Sequence, residues 1–209
     1  MINFNEFYRE IDPWGTTKFA HERARLRLTE KMLGHNQFNH ALDLGCGEGI
    51  FTKIIKQHAI LVDAIDISLS AISRAKQRCA GVDFTVGDIR NFKFFGNYDL
   101  IVCLEVIYYL DLEDQKNILQ KMRDFIDKNG LILLSFVIND QSYIHYADFI
   151  KLLTGMFSLK LILVLSVKSR SNIFIDRIKM WYYNFLLNKR GFVHPAINQV
   201  GVLLKCSSK

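Results

Sequence analysis

Residues 41–51 read Ala-Leu-Asp-Leu-Gly-Cys-Gly-Glu-Gly-Ile-Phe, an order that predicts a short apolar strand, a glycine turn and the start of a helix. The glycines at positions 45, 47 and 49 allow a tight turn with unusual backbone angles, and they let a ligand approach with no Cβ in the way. The helix that follows, over residues 50–58, directs its free N–H groups at whatever lies over the turn. Such a strand, turn and helix are typical of a nucleotide site.

The spacing of the glycines argues against a pyrophosphate at this turn. Dinucleotide-binding loops follow the pattern G-x-G-x-x-G, whereas the third glycine here, Gly49, comes one residue early. An acid, Asp43, also precedes the turn, which likewise disfavours a pyrophosphate. The turn is therefore not expected to hold a dinucleotide such as NAD.

A second acid lies where a ribose would be bound. Residues 60–66 predict a strand that ends at Asp66, 17 residues after Gly49. An ionised carboxylate has two acceptor oxygens, so an acid in this place can accept hydrogen bonds from two adjacent ribose hydroxyls. Asp66 is therefore predicted to bind a ribose, with a helix-start acid as the alternative. Ile67 is placed to pack on the base, and Ser68 is placed to cap the next helix.

The chain as far as residue 138 continues this alternation of strands and helices. The pattern predicts strands over 82–86, 98–105 and 131–138 and a helix over 112–128 that Asn129-Gly130 ends. The fourth strand is nearly all apolar, as expected for a parallel strand that is covered on both faces. The order indicates a doubly wound, Rossmann-like α/β fold, in which ligands lie at the carboxyl ends of the strands. Glu105 falls at such an end.

The D-x-G-x-G-x-G pattern that begins at Asp43, followed by acids after the second and third strands, resembles the class I S-adenosylmethionine (SAM) methyltransferases. The resemblance implies that the backbone of Gly45 and Gly47 cradles the methionine part of SAM, next to Asp43. It also implies that Asp88 accepts the adenine amino group, with Ile89 against the ring. The product of methyl transfer would be S-adenosylhomocysteine (SAH).

The same family usually carries a lid before the first strand. Residues 1–38 are therefore expected to form an N-terminal lid, with a helix that Thr16 or Thr17 caps. Trp14 is either a lid aromatic near the cofactor or a core residue. Arg23 is a candidate partner of the SAM carboxylate, with a surface arginine as the alternative.

A narrower resemblance is to the NodS-type methyltransferases, a family that N-methylates an amino sugar in a nodulation signal oligosaccharide. It is carried by Asp-Pro-Trp at 12–14, Glu-Arg at 22–23, the glycine stretch, and Tyr-Asp-Leu-Ile-Val-x-x-Glu-Val-x-Tyr-Tyr-Leu at 98–110. The resemblance ends near residue 138. It implies a small polar acceptor, such as an amino sugar or another carbohydrate amine or hydroxyl, whose pocket the C-terminal part would shape.

The C-terminal part adds two strands, which bring the predicted sheet to seven mostly parallel strands. They lie over 159–167 and 200–206, after a helix over 140–157. A helical insert over 168–198 separates the last two strands and is longer than an ordinary hairpin connection. Its helix, over 173–187, has an apolar face with Trp181 and Tyr182. This face is expected to be covered by the body of the domain, a second subunit, the acceptor or an anionic membrane surface.

The chemistry asks little of the protein, because the sulfonium methyl of SAM is already activated and catalysis mostly holds donor and acceptor in line. An amine must be neutral to attack and a hydroxyl must lose its proton, so a base helps. The candidates are His145 and Glu105, with Tyr108 and Tyr109 orienting the acceptor. The alternatives are a structural histidine and a glutamate that binds the amino end of SAM. No group of residues has the spacing of a metal site.

Composition limits the class of protein. The chain has 209 residues, half of them hydrophobic, and two prolines, which indicates a single folded domain over 1–209. Four scattered cysteines, an N-terminus without an apolar run and no apolar stretch that could cross a bilayer indicate a cytoplasmic protein. No DNA partner is expected, but the net charge of +6 leaves open an RNA methyltransferase. A SAM-binding module without activity is the remaining alternative.

Overall fold

The computed structural model of the protein describes residues 3–138, 146–166 and 200–208. Its helices are α1 (Phe4–Phe7), α2 (Ala20–Leu33), α3 (Ile50–His58), α4 (Leu69–Arg78), α5 (Leu112–Phe125) and α6 (Tyr146–Met156), with a 3₁₀ turn at Ile107–Tyr109. Its strands are β1 (Phe38–Leu44), β2 (Ala59–Asp66), β3 (Asp83–Val86), β4 (Tyr98–Leu104), β5 (Ile126–Ile138), β6 (Phe157–Ser166) and β7 (Val200–Ser208).

The strands form one sheet in the order β3-β2-β1-β4-β5-β7-β6. Strands β1 to β5 are parallel to their neighbours among these five, and β7 is antiparallel to both β5 and β6. The five parallel strands and their helices confirm the predicted Rossmann-like α/β fold. The chain moves outward from β1 to β3 and then returns to β4, on the other side of β1. At such a reversal the carboxyl ends of the strands open a crevice for a ligand.

The central strands are covered on both faces, which explains their continuous apolar sequence. In β4, Leu100 and Val102 join the core beneath α2 and α3, whereas Ile101 and Cys103 join the core beneath α5 and α6. Successive residues of a strand point to opposite faces, and all four side chains are fully buried. The two helical layers therefore hold the sheet rigid, and its carboxyl edge can carry a site.

The end of α5 differs from the sequence prediction. Asn129-Gly130 is predicted to end this helix, but α5 stops earlier and β5 already begins at Ile126. Ile126 is buried and pairs with Tyr98, and the register then shifts before the pairing resumes at Leu131. Burial of Ile126 therefore draws the chain into the sheet early, and Asn129-Gly130 lies in an irregular part of β5.

The start of α2 also differs from the prediction. Neither Thr16 nor Thr17 caps the helix, because α2 begins at Ala20 and its N-cap residue, Phe19, makes no side-chain hydrogen bond. Instead, the Asp12 carboxylate accepts hydrogen bonds from the N–H groups of Thr16 (2.7 Å) and Thr17 (2.9 Å) and from the Thr17 hydroxyl (2.6 Å). The Asp12 carboxylate therefore binds the two backbone N–H groups that would have lain in the first turn of a helix starting at Thr16.

The C-terminal part is described over α6, β6 and β7. Strands β6 and β7 pair from Phe157 with Ser208 to Ser166 with Val200. The predicted insert over 168–198, with Trp181 and Tyr182, lies outside the described residues, and so does His145.

No helix in the described ranges has the length and apolar character needed to cross a membrane. Within the same ranges, no three His, Cys, Asp or Glu side chains are grouped so that they could hold a metal ion.

Candidate functional site

The glycine turn between β1 and α3 has the tight backbone that the sequence predicts. Gly45, Gly47 and Gly49 have positive φ angles of 74°, 53° and 72°. A Cβ on Gly45 would come within 2.2 Å of the Val106 side chain, and a Cβ on Gly47 within 2.8 Å of the Tyr8 hydroxyl. The positive φ angles therefore favour glycine at all three positions. At Gly45 and Gly47, neighbouring side chains of the protein also leave no room for a Cβ.

Asp66, at the end of β2, holds this turn in place. Its carboxylate accepts hydrogen bonds from the N–H groups of Gly47 (2.8 Å) and Ser68 (2.9 Å). Burial raises the pKa of Asp66, and the two N–H donors oppose that shift. An ionised carboxylate has about four acceptor sites, so about two remain for ribose hydroxyls. Ser68 caps α4 as predicted, since its hydroxyl oxygen accepts the Ala71 N–H.

Asp43 lies buried beneath the turn, near the end of β1. The Thr52 hydroxyl donates a hydrogen bond of 2.6 Å to its Oδ2 atom. Burial raises the pKa of Asp43 to about 7, the Thr52 hydrogen bond opposes this shift, and the charge of Asp66 adds to it. The carboxyl group ties β1 to the first turn of α3 and so supports the glycine backbone from below.

Asp43→Asn is expected to remove a pH-dependent loss of stability. The folded pKa of about 7 lies above the unfolded value of about 3.9. The folded state therefore binds more protons between about pH 4 and pH 7, and its free energy of unfolding falls as the pH rises through that window. The slope for one group is at most about 1.4 kcal/mol per pH unit.

Urea denaturation of both proteins at about pH 5 and pH 8 measures this effect. The asparagine still offers an oxygen to the Thr52 hydroxyl. The free energy of unfolding of the variant, relative to that of the wild type, should therefore be higher at pH 8 than at pH 5. If the two proteins show the same pH dependence, the Asp43 carboxyl does not titrate in this window.

Asp88 and Ile89, the two residues predicted to bind the adenine, both contact other groups of the protein. The Arg90 guanidinium donates from Nε to both oxygens of the Asp88 carboxylate, at 3.0 and 2.9 Å. These bonds lower the pKa of Asp88 and keep the carboxylate ionised as an acceptor. Ile89 is buried in the core, whereas Ile67 keeps 44% of its surface exposed. Ile67 is therefore the more accessible of the two apolar side chains predicted to cover the base.

Glu105 follows β4 at the same edge of the sheet, next to the residue that contacts Gly45. Its φ angle is 59°. The Ser135 hydroxyl donates a hydrogen bond of 2.7 Å to Glu105 Oε1. The side chain keeps some exposed surface, but protein atoms surround the carboxyl group closely enough for burial to raise its pKa, which the charge of Arg25 opposes. A crevice carboxyl group with a raised pKa is a candidate general base.

Aromatic side chains from the N-terminal segment and from the 3₁₀ turn meet beside Glu105. The ring centroids of Trp14 and Tyr109 lie 6.4 Å apart, and those of Tyr108 and Tyr109 lie 4.5 Å apart. Trp14 also donates from Nε1 to the Tyr8 hydroxyl at 3.0 Å, and 39% of its surface is exposed. Trp14 is thus a surface residue at this edge of the sheet that joins the N-terminal segment to the tyrosine pair.

The fold does not bring Arg23 together with the other residues predicted to bind SAM. It is exposed and donates hydrogen bonds to the backbone carbonyls of residues 17 and 18. Arg25 forms an ion pair with Glu22 and acts on the Glu105 carboxyl group instead. Sequence reasoning missed Arg25, because only the rotation of α2 against the sheet decides which arginine faces inward.

A second group that sequence reasoning missed fastens the N-terminal segment to the glycine turn. The buried Glu48 carboxylate accepts the Asp12 N–H at 3.1 Å to each oxygen, and it forms an ion pair of 2.6 Å with Arg74 Nε. Arg74 also donates to the backbone carbonyls of Tyr8 and, at 3.0 Å, Glu10. No local pattern links these positions, and the one signal was an acid inside the glycine motif.

Comparison with known families identifies the domain that carries this turn. A family model described as "Methyltransferase domain" matches residues 41–130, which run from β1 into β5 and contain Asp66 and Glu105. Over these residues the chain is similar to a methyltransferase domain. The predicted resemblance to class I methyltransferases is thereby confirmed.

Curated relatives of the methyltransferase domain include nodulation proteins. Nodulation protein S of Sinorhizobium fredii is 34% identical over 119 residues, which cover 52% of this chain and 54% of that protein. The mitochondrial ubiquinone biosynthesis O-methyltransferase of Schizosaccharomyces pombe is 26% identical over 148 residues, which cover 65% of this chain and 53% of that protein. The chain spans about half the length of the curated relatives it matches. The match to nodulation protein S confirms the predicted NodS-type resemblance.

Solved structures share the fold of the methyltransferase domain. The N-methyltransferase NodS from Bradyrhizobium japonicum WM9, in complex with SAH, has a TM-score of 0.76 at 20% identity and covers 99% of both chains. Magnesium protoporphyrin IX methyltransferase from Synechocystis PCC 6803, with bound SAH, has a TM-score of 0.64 at 17% identity and covers 90% of this chain and 84% of that one. At these identities the likeness shows the fold.

Proposed function

We propose that the protein is an enzyme that transfers the methyl group of SAM to a nitrogen or oxygen atom of a small polar acceptor. The observation that carries this proposal is the placement of two carboxylates, Asp66 and Glu105, on opposite sides of the glycine turn. Asp66 ends β2, Glu105 follows β4, and β1 with its turn lies between these strands. In this proposal one carboxylate serves the ribose side of the site, and the other serves the acceptor side.

The residues on the ribose side fit SAM. The Asp66 carboxylate keeps about two acceptor sites after its bonds to backbone N–H groups, which suits a ribose diol. Asp88, whose pKa the Arg90 guanidinium lowers, would accept a hydrogen bond from the adenine amino group. The backbone of Gly45 and Gly47 would carry the methionine part, as the family resemblance implies. When bound, SAM supplies a methyl group that its positively charged sulfur has already activated.

Glu105 is the proposed base on the acceptor side. Burial raises its pKa, which suits proton removal, because a general base works best when its pKa lies near the ambient pH. Tyr108 lies against this carboxyl group and would orient the acceptor. Burial raises the pKa of Tyr108 as well, so its hydroxyl stays protonated and can donate. His145, the other candidate base, lies outside the described residues.

The preferred acceptor is an amino sugar or another carbohydrate amine or hydroxyl. The relatives named nodulation protein S support this preference, given what the NodS-type resemblance implies. A hydroxyl acceptor is supported by the relatives named ubiquinone biosynthesis O-methyltransferase. Both kinds of acceptor need a base that removes a proton, so Glu105 has the same task in either case.

Incubation with methyl-labelled SAM and a panel of acceptors tests the proposal. The panel contains amino sugars, glycosides with free hydroxyl groups, phenolic acceptors and RNA. Label is expected to appear on the amino sugars, with the site of methylation read by mass spectrometry. Transfer to RNA alone would overturn the small acceptor. Binding of SAM and SAH by calorimetry without transfer to any acceptor would instead indicate a binding module.

A further inference from the structure

Glu105 has a backbone conformation that needs outside support. Its φ angle of 59° lies in the left-handed region, and Asp12 is the other non-glycine residue with a positive φ among those that the structure describes. Non-glycine residues stay in this region only when their surroundings hold them there, and such residues cluster at functional sites. A glutamate in this conformation therefore implies a partner that holds it.

That partner is Ser135 on β5. The Glu105 N–H donates to the Ser135 carbonyl oxygen at 2.9 Å and to Ser135 Oγ at 3.1 Å. The Ser135 hydroxyl in turn donates to Glu105 Oε1 at 2.7 Å. Because Ser135 is 1% exposed and opposite Leu104 in the sheet, its position is fixed by the pairing of β4 with β5. One residue therefore fixes both the backbone and the carboxylate of Glu105.

Packing alone does not explain a serine at this place. The adjacent residues of β5, Leu134 and Phe136, are apolar and fully buried. A buried hydroxyl group costs free energy unless it is hydrogen-bonded, and an alanine would fill nearly the same volume without that cost. Among the described residues, the hydrogen bonds of the Ser135 side chain lead to Glu105. The Ser135 hydroxyl group is therefore explained by its hydrogen bonds to Glu105.

Besides the Ser135 hydroxyl, several charged or titratable groups interact with the Glu105 carboxyl group. They are Arg25 and Glu22 of α2, Tyr108 and Tyr109 of the 3₁₀ turn, and Cys103 of β4. Burial has the largest effect on the pKa of Glu105 and raises it, whereas Arg25, Ser135 and then Tyr108 lower it, and Glu22 raises it further. Removing the Ser135 hydroxyl would therefore leave the carboxyl group protonated up to a higher pH.

We propose that Ser135 is a positioning residue that holds Glu105 in its left-handed conformation and presents the carboxylate beside Tyr108 to the acceptor. This inference rests on the proposed function, because it needs Glu105 to act on the acceptor. The proton leaves the nitrogen or oxygen of the acceptor and ends on a carboxylate oxygen of Glu105. The Ser135 hydroxyl favours the ionised carboxylate, which is the form that can accept this proton.

Ser135→Ala removes the hydroxyl group with little change in volume. We expect SAH affinity within about twofold of wild type, because the residues proposed for the ribose and the adenine lie at the end of β2 and after β3. We expect kcat to fall at least about tenfold and the acid limb of the kcat/KM profile to move up by about one pH unit, because the carboxyl group keeps its proton longer. Ser135→Thr keeps the hydroxyl group and should return the acid limb toward its wild-type position.

Ile132→Val is the matched control on the same strand. Ile132 is fully buried, so its shortening weakens the core without removing a group that bonds to Glu105. Its acid limb should stay in place. If Ser135→Ala lowers activity with an unmoved acid limb, as the control would, the role of Ser135 is only structural and the inference fails. Weaker SAH binding with an unmoved limb would also overturn it, since Glu105 would then serve the cofactor.

A titration that needs no turnover separates this inference from the proposed function. Carbon-13 NMR of glutamate side chains follows the ionisation of Glu105 in the wild type and in Ser135→Ala, and Glu105→Gln assigns the signal. A higher pKa of Glu105 in the variant supports the positioning role, and equal pKa values overturn it. If that shift is present but the wild type methylates no acceptor in the panel, the proposed function fails by itself.

Discussion

Glu105→Gln is expected to lower kcat by about two to four orders of magnitude with any acceptor that the wild type methylates. The amide has nearly the same shape as the carboxylate, and its oxygen can still accept the Ser135 hydroxyl, which donates to Oε1 of the wild type. It cannot take up a proton, so the acceptor loses its base. SAH binding should change by less than about threefold. Steady-state kinetics and calorimetry measure the two effects.

Glu113→Gln makes the same chemical change at an exposed position in the first turn of α5. It should leave kcat within about twofold of the wild type. Full activity of Glu105→Gln would show that this carboxylate is not the base. A normal kcat with much weaker SAH binding would show that Glu105 binds the amino end of the cofactor.

Asp66→Ala is expected to weaken SAM and SAH binding at least tenfold. The change removes an ionised acceptor that two ribose hydroxyls would use, and each such bond is worth roughly 1.5–3 kcal/mol before compensation. A loss of about 1.4 kcal/mol already corresponds to tenfold in the dissociation constant. The Gly47 and Ser68 N–H groups also lose the carboxylate that accepts their hydrogen bonds. The turn should therefore lose order as well, which adds to the effect.

Two further variants show which of these contributions matters. Asp83→Ala removes an exposed acid from the amino end of β3, at the opposite edge of the sheet, and should leave SAH binding unchanged. Asp66→Asn keeps an oxygen for the backbone N–H groups but loses the charge, so its affinity should fall between the wild type and Asp66→Ala. An unchanged dissociation constant in folded Asp66→Ala would mean that the acid serves only the turn and the start of α4.

The parts of the fold that depend on local pattern could be predicted from the sequence. The helix after the glycine turn has the predicted bounds, 50–58, and Asp66 ends its strand as expected. Ser68 caps α4 through its side chain. These features follow from the period of the apolar residues, the glycine turn and the chemistry of a capping hydroxyl group, all of which act within a few residues along the chain.

The errors in prediction arose where another contact competes with the local signal. The Asp12 carboxylate takes the N–H groups of Thr16 and Thr17, so neither threonine starts a helix. Burial of Ile126 against the sheet ends α5 before Asn129-Gly130 is reached. In both places the expected pattern was consistent, but another contact offered the backbone a better partner: a nearby carboxylate at Thr16 and Thr17, and a strand across the sheet at Ile126.

The sequence by itself determined the Rossmann-like plan of the chain: the order of strands and helices, the glycine turn after β1 and the acids at the ends of later strands. Only the tertiary structure decided which side chains meet at the crevice. Ser135 reaches Glu105 across 30 residues of chain, and Glu48 reaches Asp12 across 36. Such pairs depend on the order and register of strands and on the rotation of helices against them. Packing of the whole domain sets these, and no local period encodes them.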